Sequence, residues 1–396
     1  VKRAFSFEST SSLVLVTAGT GLIAATYGLI RLAFGLFLPD VRRELGLALD
    51  TAGVISGGAS VVYCVGAIAG FILASRHARI IATAATIAGA AGALGMAVAP
   101  NVTLFAVFAI GSSAGAGLAS PALVTLVGRN LPERSVPRFQ TVVNAGTGPG
   151  LALAGLLALL LLPDWRAAWF LSAVFTVIVG VLVLLADRGP APDASPARAL
   201  PPLSWYVDHT RVIVAALLMG FGSAAVWTYA RTVLVDAGSG ETLSITAWVA
   251  LGLGGSTVIL SSRFTDRAEP RHLWAVTAGL IAITSAIVGV GSERPAVILG
   301  AAVIFGWAYT AGSGALIGWT MRIDSERAAA GTALLFVVLI LGQAIGAVAA
   351  GLLVVVAGYP LAFLAAAAVG AGAAGMGVTR TRHGSDPGPA AAGSLR

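Results

Sequence analysis

The chain of 396 residues is 57% hydrophobic and only 10% charged, with a mean hydropathy of +0.92. A soluble domain carries about 25% charged residues, so this chain cannot clothe a water-facing surface of its size, and its outer face must meet lipid. The net charge of +7 leaves a nucleic-acid partner open on composition alone, but the placement of the arginines along the chain excludes it.

Apolar stretches of about 20 residues are long enough to cross a bilayer as helices. Twelve occur, over 13–38, 53–74, 80–99, 102–127, 139–162, 167–186, 212–235, 243–262, 273–291, 296–319, 332–357 and 359–378. Short polar breaks such as Ser75–Arg79 and Gly128–Arg134 separate them. The longest break, 187–211, contains Pro190, Pro192, Pro196, Pro201 and Pro202 and is predicted to be a flexible linker. The expected organisation is an N-terminal six-helix bundle at 1–186, a linker at 187–211, a C-terminal six-helix bundle at 212–378 and a disordered tail at 379–396. The predicted fold class is therefore an all-α membrane protein with twelve transmembrane helices in two pseudo-symmetric bundles.

Charge sets the orientation. With both termini in the cytoplasm, 18 of the 24 basic residues lie in inside segments and four (Arg42, Arg43, Arg166 and Arg294) in outside loops. This is the positive-inside pattern, and miscounting by one span would destroy it. The basic balance is thus a topology signal, and the expected location is a bacterial cytoplasmic (inner) membrane.

The membrane interior holds two arginines, Arg31 in span 1 and Arg231 in span 7, and no deep carboxylate. An ionisable group there is costly and a functional candidate by default. Tyr27-Gly28-Leu29-Ile30-Arg31 matches Thr228-Tyr229-Ala230-Arg231 one half later, and each arginine is followed by an acid at the outer span end, Asp40 and Asp236. Such a repeat suggests two bundles around a central site. Two readings of the arginines stay open. They snorkel or pair with Asp40 and Asp236, or they face a central cavity and bind an anion through bidentate hydrogen bonds. Tyr27 and Trp227 each stand four residues before an arginine, while Tyr229, two before Arg231, is not directly beside it. Tyr63, Asn144, Trp307, Tyr309 and Gln343 are further candidates to line a partly polar cavity.

Several chemistries lack the residues they need. Cys64 reads as a small packing residue, and the four histidines fall in polar loops or tails without metal-ligand spacing, so neither metal nor cofactor is expected. Paired acids at membrane depth, needed for intramembrane proteolysis, are missing, and no enzyme activity is expected. With Lys2 the only lysine there is no phosphate-binding G-x-x-x-x-G-K-[ST] segment, so ATP does not drive transport by this chain.

Twelve spans in a 6 + 6 arrangement with a central cytoplasmic loop resemble the major facilitator superfamily. The segment Ser262–Arg271 matches that family's loop motif at Asp266-Arg267 and at the trailing Arg271, with Glu269 in place of glycine. The corresponding Phe71–Arg79 keeps Arg76 and Arg79 but has Ser75 for the aspartate and Ala78 for the glycine. The resemblance implies that these loops latch the halves together on the cytoplasmic side. Asn144–Gly150 in span 5, with Gly148-Pro149, partly resembles the Gly-Pro motif of the family's exporters and antiporters; Pro149 bends the helix and the glycines permit close contact. Gly66–Gly70, Gly252–Gly255 and Gly342–Gly346 supply similar small faces on spans 2, 8 and 11, which in the family form the interface between halves.

The expected function is secondary or facilitated transport by alternating access, with a small organic or inorganic anion as substrate and Arg31 and Arg231 as its ligands. Efflux of a neutral hydrophobic compound and a transporter-like receptor or scaffold without flux stay open. The expected partners are the solute, the bilayer, and a proton or counter-transported anion; a monomer is expected.

Overall fold

The computed structural model describes residues 7–189, 201–265, 267–291 and 294–378. Among the described residues, ten helices are long and apolar enough to cross a membrane: α1 Ser11–Leu45, α2 Leu49–Val98, α3 Val102–Asn130, α4 Arg138–Leu161, α5 Trp165–Ala186, α6 Leu203–Asp236, α7 Glu241–Ser261, α8 Pro270–Val290, α9 Pro295–Ile323 and α10 Ala328–Val378. Each of the twelve predicted spans coincides with one of them or with part of one, four overrunning the helix end by a single residue. Two are long enough to cross twice. At 1.5 Å per residue, the 50 residues of α2 and 51 of α10 each exceed twice the ~30 Å apolar thickness of a bilayer. Each is broken by one non-helical residue, His77 in α2 and Gly358 (φ 78°) in α10.

Local chemistry sets the ends. Asn101, Asp164 and Glu269 cap α3, α5 and α8 by accepting from Leu104, Ala167 and His272 backbone N–H groups at 2.9, 3.1 and 3.0 Å. Gly46, at φ 71°, ends α1 with its N–H on Arg42 O. The helices bury small residues and direct large ones outward: Leu160, Ile72 and Val356 are among the most exposed side chains, a pattern that suits lipid rather than water.

Residues before the central break pack chiefly with one another, as do those after it. The halves meet chiefly along three pairs, α1 with α6, α2 with α10 and α4 with α7. In α1 and α6 the backbones are in contact at Gly35, where a Cβ would lie 2.1 Å from Trp227 O. The span 2 interface is Gly53 and Gly57, which face Ala347 and Ala344 of α10. Gly66 and Gly70 instead pack on α3, and Gly342 and Gly346 on α6, each within its own half. Small residues on one helix serve two neighbours, and sequence spacing does not say which.

Two sequence expectations change. The predicted linker over 187–211 includes Leu203–Arg211, which is the start of α6; residues 190–200 and the tail from 379 lie outside the described residues. His209, expected in a polar loop, is buried: its ring stacks on Trp205 at 3.7 Å and shares a hydrogen bond with Thr320 Oγ1 at 2.9 Å. An aromatic and a histidine four residues apart make one packed face, and that face extends the helix.

Candidate functional site

The site starts from an irregularity in α1. Residues Ala24–Leu32 form a π-helix, a wide-turned insertion that recurs at functional sites, and it carries both Tyr27 and Arg31. The Arg31 side chain spans the interface between halves. Its Nη2 donates to Ser60 Oγ on α2 and to Gln343 Oε1 on α10, both at 3.1 Å. The guanidinium carbon lies 4.9 Å from the Tyr63 ring centroid. Tyr63 and Tyr27 share a hydroxyl hydrogen bond at 2.8 Å, and Gln343 Nε2 donates to Tyr309 Oη at 2.8 Å. Beside this cluster lies a cleft lined by Arg31, Phe34, Ile55, Ser60, Trp227 and Gln343, among others. Trp227 packs edge-on against Phe305 and Tyr309.

Arg231 has a different environment. Its side chain is fully buried and forms an ion pair with Asp40 of the other half, itself 2% exposed. The same Nη1 donates to Leu36 O at 2.6 Å. The pairing is crosswise: Asp40 serves Arg231 rather than Arg31, and Asp236 takes Arg42 at 3.3 Å and the Tyr359 hydroxyl at 2.7 Å. Tyr229 lies outside the cleft, its hydroxyl donating to Leu49 O at 2.7 Å. In this conformation Arg231 and Tyr229 tie the halves together, and neither lines the cleft beside Arg31. Among the described residues, the ion pairs that join the halves (Arg42–Asp236, Arg43–Glu241 and Arg231–Asp40) all sit at the end predicted to face outside. No carboxylate among the described residues stands within ion-pair distance of Arg31.

Twin bundles, a three-pair interface and a charged central cleft are what a transporter requires, and the comparison with known families agrees. Residues 20–329 match the family described as Major Facilitator Superfamily. The chain belongs to it. It is a multi-pass transmembrane transporter of this superfamily. It is 26% identical over 279 residues, 66% of its length and 69% of the relative's, to a chloramphenicol resistance protein of Streptomyces lividans. It is also 25% identical over 166 residues to the 4-hydroxybenzoate transporter PcaK of Pseudomonas aeruginosa, covering 41% of this chain and 37% of that one. The solved structure of a D-xylose-proton symporter shares the fold with a TM-score of 0.73 at 15% identity, over 93% of this chain and 97% of that one.

Of the residues of the superfamily's loop motif, the structure describes Arg76, Arg79, Arg267 and Arg271. Asp266 lies outside the described residues, Arg267 and Arg76 are exposed, and Arg271 stands 5.6 Å from the Trp319 ring. Arg79 reaches Asp187 at 2.9 Å within its own half. Asp187 was missed in the sequence. It also accepts from Arg129 Nε at 2.9 Å and Asn130 Nδ2 at 2.7 Å. Burial alone would raise its carboxyl pKa, but the hydrogen bonds from Arg129, Asn130 and Arg79 outweigh burial and hold it below the usual carboxylate range. Its sequence signal was an acid at the end of span 6, on the same predicted side as both arginines.

The remaining candidates divide. Gly148 packs against α7, where a Cβ would lie 2.5 Å from Ser256 Oγ, while Pro149 and Asn144 are exposed beside the break in α4. Trp307 donates to Ser261 Oγ at 2.9 Å, apart from the Arg31 cluster. Ser56 and Thr228, which share a hydrogen bond at 3.0 Å across the halves, and Ser60 line the cleft and were not singled out in the sequence.

Proposed function

We propose that this chain is a secondary carrier that moves a small anion by alternating access, with Arg31 as the anion ligand. The observation that carries the reading is the Arg31 guanidinium, held at the junction of the halves by neutral acceptors only. A charge at membrane depth costs about 2.5–3.5 kcal/mol on insertion scales, and a purely structural arginine recovers that cost from a carboxylate, as Arg231 does from Asp40. The 4-hydroxybenzoate transporter among the relatives moves a compound of this charge class. Tyr27, Tyr63, Tyr309, Trp227 and Gln343 shape the remainder of the site.

In this reading the chain crosses a bacterial inner membrane twelve times, with α2 and α10 each crossing twice, and both termini are cytoplasmic. The halves at 1–186 and 212–378 rock about the central cleft. The ion pairs at the outer end are the closed gate, and the loop arginines Arg76, Arg79, Arg267 and Arg271, with Asp266, close the opposite end when the outer one opens. A proton or a counter-transported anion supplies the driving force, and the carrier works as a monomer without a cofactor.

A second reading is efflux of a neutral hydrophobic compound. It is favoured by the similarity to a chloramphenicol resistance protein and by the mainly apolar residues of the cleft.

Flux through the purified protein in liposomes tests both. Saturable movement of small carboxylates or inorganic anions, lost in Arg31→Ala, is the expected result. Flux confined to neutral hydrophobic compounds and unchanged in Arg31→Ala overturns it in favour of efflux. Binding without any saturable flux assigns the chain to the receptor or scaffold class.

A further inference from the structure

We infer that the transported anion is an aromatic monocarboxylate, and that its carboxylate takes the place of the Gln343 amide oxygen on Arg31; the inference rests on the anion-carrier reading. Three observations lead to it.

The first is the state of the guanidinium. Nε and Nη2 form one edge of the fork that a carboxylate grips with two parallel hydrogen bonds. On Arg31, Nη2 is held by Ser60 Oγ and Gln343 Oε1, and Nε is buried with no partner. Both acceptors are neutral, and a carboxylate on the same edge forms charge-assisted bonds roughly twice as strong. The Gln343 amide oxygen is thus a placeholder. When displaced, Gln343 keeps its 2.8 Å bond to the Tyr309 hydroxyl, so its release leaves one end of the amide anchored.

The second is the charge balance. Asp40 neutralises Arg231, so one uncompensated positive charge faces the cleft. A single negative charge balances it. A dianion would bring one unpaired charge into an otherwise neutral, partly buried space, which is costly.

The third is the wall. Phe34, Ile55, Met96 and Trp227 line the cleft around Arg31, and the Trp227 ring is itself braced edge-on by Phe305 and Tyr309. Braced aromatic rings favour an aromatic ligand body beyond what its buried area alone contributes. The Trp227 indole N–H is buried without a partner, so it offers a donor to a polar substituent on that ring.

Calorimetric titration of the full-length protein in detergent tests the inference, with benzoate, cyclohexanecarboxylate, acetate, phthalate and benzamide as probes. Benzoate is expected to bind tightest, cyclohexanecarboxylate and acetate progressively more weakly, and phthalate and benzamide weakest. Gln343→Glu places a fixed carboxylate on the Arg31 edge and should weaken benzoate by about tenfold to a hundredfold, the scale of hydrogen bonds to a charged group. Gln343→Ala removes the competitor and should hold or tighten benzoate binding. Folding of each variant is checked by its melting temperature, and Arg31→Lys stands in if Arg31→Ala does not fold.

The outcomes separate the claims. Equal binding of acetate, phthalate and benzoate overturns the aromatic monocarboxylate class and leaves the anion reading standing. Unchanged benzoate affinity in Gln343→Glu overturns the displaced-amide seat. Benzamide binding as tight as benzoate, indifferent to Arg31→Ala, overturns the anion-carrier reading itself.

Discussion

Replacing Asp40 with asparagine tests whether the buried pair with Arg231 holds the outer end shut. Both side chains are at most 2% exposed, so no discount for solvent applies. Removing one partner of such a pair costs about 3–5 kcal/mol, because the other charge is left buried and unpaired. Arg231 keeps its 2.6 Å bond to Leu36 O, which argues for the lower figure. When the end opens, the two groups part and meet water, so the loss falls on the closed form alone. About 3 kcal/mol moves a two-state equilibrium by roughly two powers of ten, enough to bring a closed-to-open ratio of 99:1 near parity. The assay is a distance measurement by pulsed electron paramagnetic resonance between spin labels at Ala48 and Ala237, exposed residues on either side of the gate. The one native cysteine, Cys64, is buried, and Cys64→Ala gives a clean background. Wild type should give mainly the short distance and Asp40→Asn a second, longer population. The double variant Asp40→Leu/Arg231→Met removes both charges and should recover the short distance. An unchanged distribution in a folded Asp40→Asn protein refutes the gate, and a double variant no better than the single one refutes the unpaired-charge reasoning.

Three further outcomes follow from the same geometry. Gly35→Ala forces a Cβ to 2.1 Å from Trp227 O across the halves, and Gly220→Ala forces one to 1.9 Å from Leu339 O within the second half. Each should lower the melting temperature through about 1–3 kcal/mol of overpacking, but only Gly35→Ala should lengthen the Ala48–Ala237 distance. Asp187 has a depressed pKa in the folded chain, so its contribution to stability is present above about pH 4 and lost as pH falls through the folded value. Asp187→Asn should therefore melt below wild type at neutral pH, with a gap that narrows in acid; a gap independent of pH in scanning fluorimetry contradicts this. Arg31→Lys keeps the charge but loses the planar fork, and should weaken carboxylate binding by about tenfold in titration, against complete loss in Arg31→Ala.

Composition made the helices legible, because a chain this poor in charge has few other ways to satisfy its backbone. Apart from Arg231–Asp40, the ion pairs among the described residues each join residues of the same predicted end, such as Arg166 with Glu44 and Arg79 with Asp187. Within the site, Arg31, Tyr27, Tyr63, Tyr309, Trp227 and Gln343 stood out as polar or aromatic residues in apolar runs, and they come together. Ser56, Ser60 and Thr228 did not stand out, since a hydroxyl in a membrane helix usually returns to its own backbone. Ser60 does so at 3.0 Å on Ser56 O while also meeting Arg31. The π-helix leaves no mark in residue type. The tertiary partners of each glycine were hidden for a related reason: Gly57 and Gly66 look alike along α2, and only the packed neighbours show which faces the other half.

The crosswise pairing was the least legible feature and explains the most. Sequence proximity couples each arginine with the acid that follows it, which makes the two halves electrostatic copies. In the folded chain the first half gives its carboxylate to the second half's arginine. One repeat-related arginine becomes a neutral structural tie and the other is left as the charge of the cleft. The asymmetry comes from helix position. Arg31 sits in the π-helix at the level of Gln343, whereas Arg231 lies beside Leu36 and Asp40 near the end of α1. The outer end thus holds a buried compensated pair, while Arg31 has no carboxylate partner among the described residues. In the proposed reading the gate and the binding site share α1 and α6, so a solute that moved Arg31 or Trp227 would act on the same two helices that hold Asp40 to Arg231. In that reading a physical route from occupancy to gating would run along these two helices.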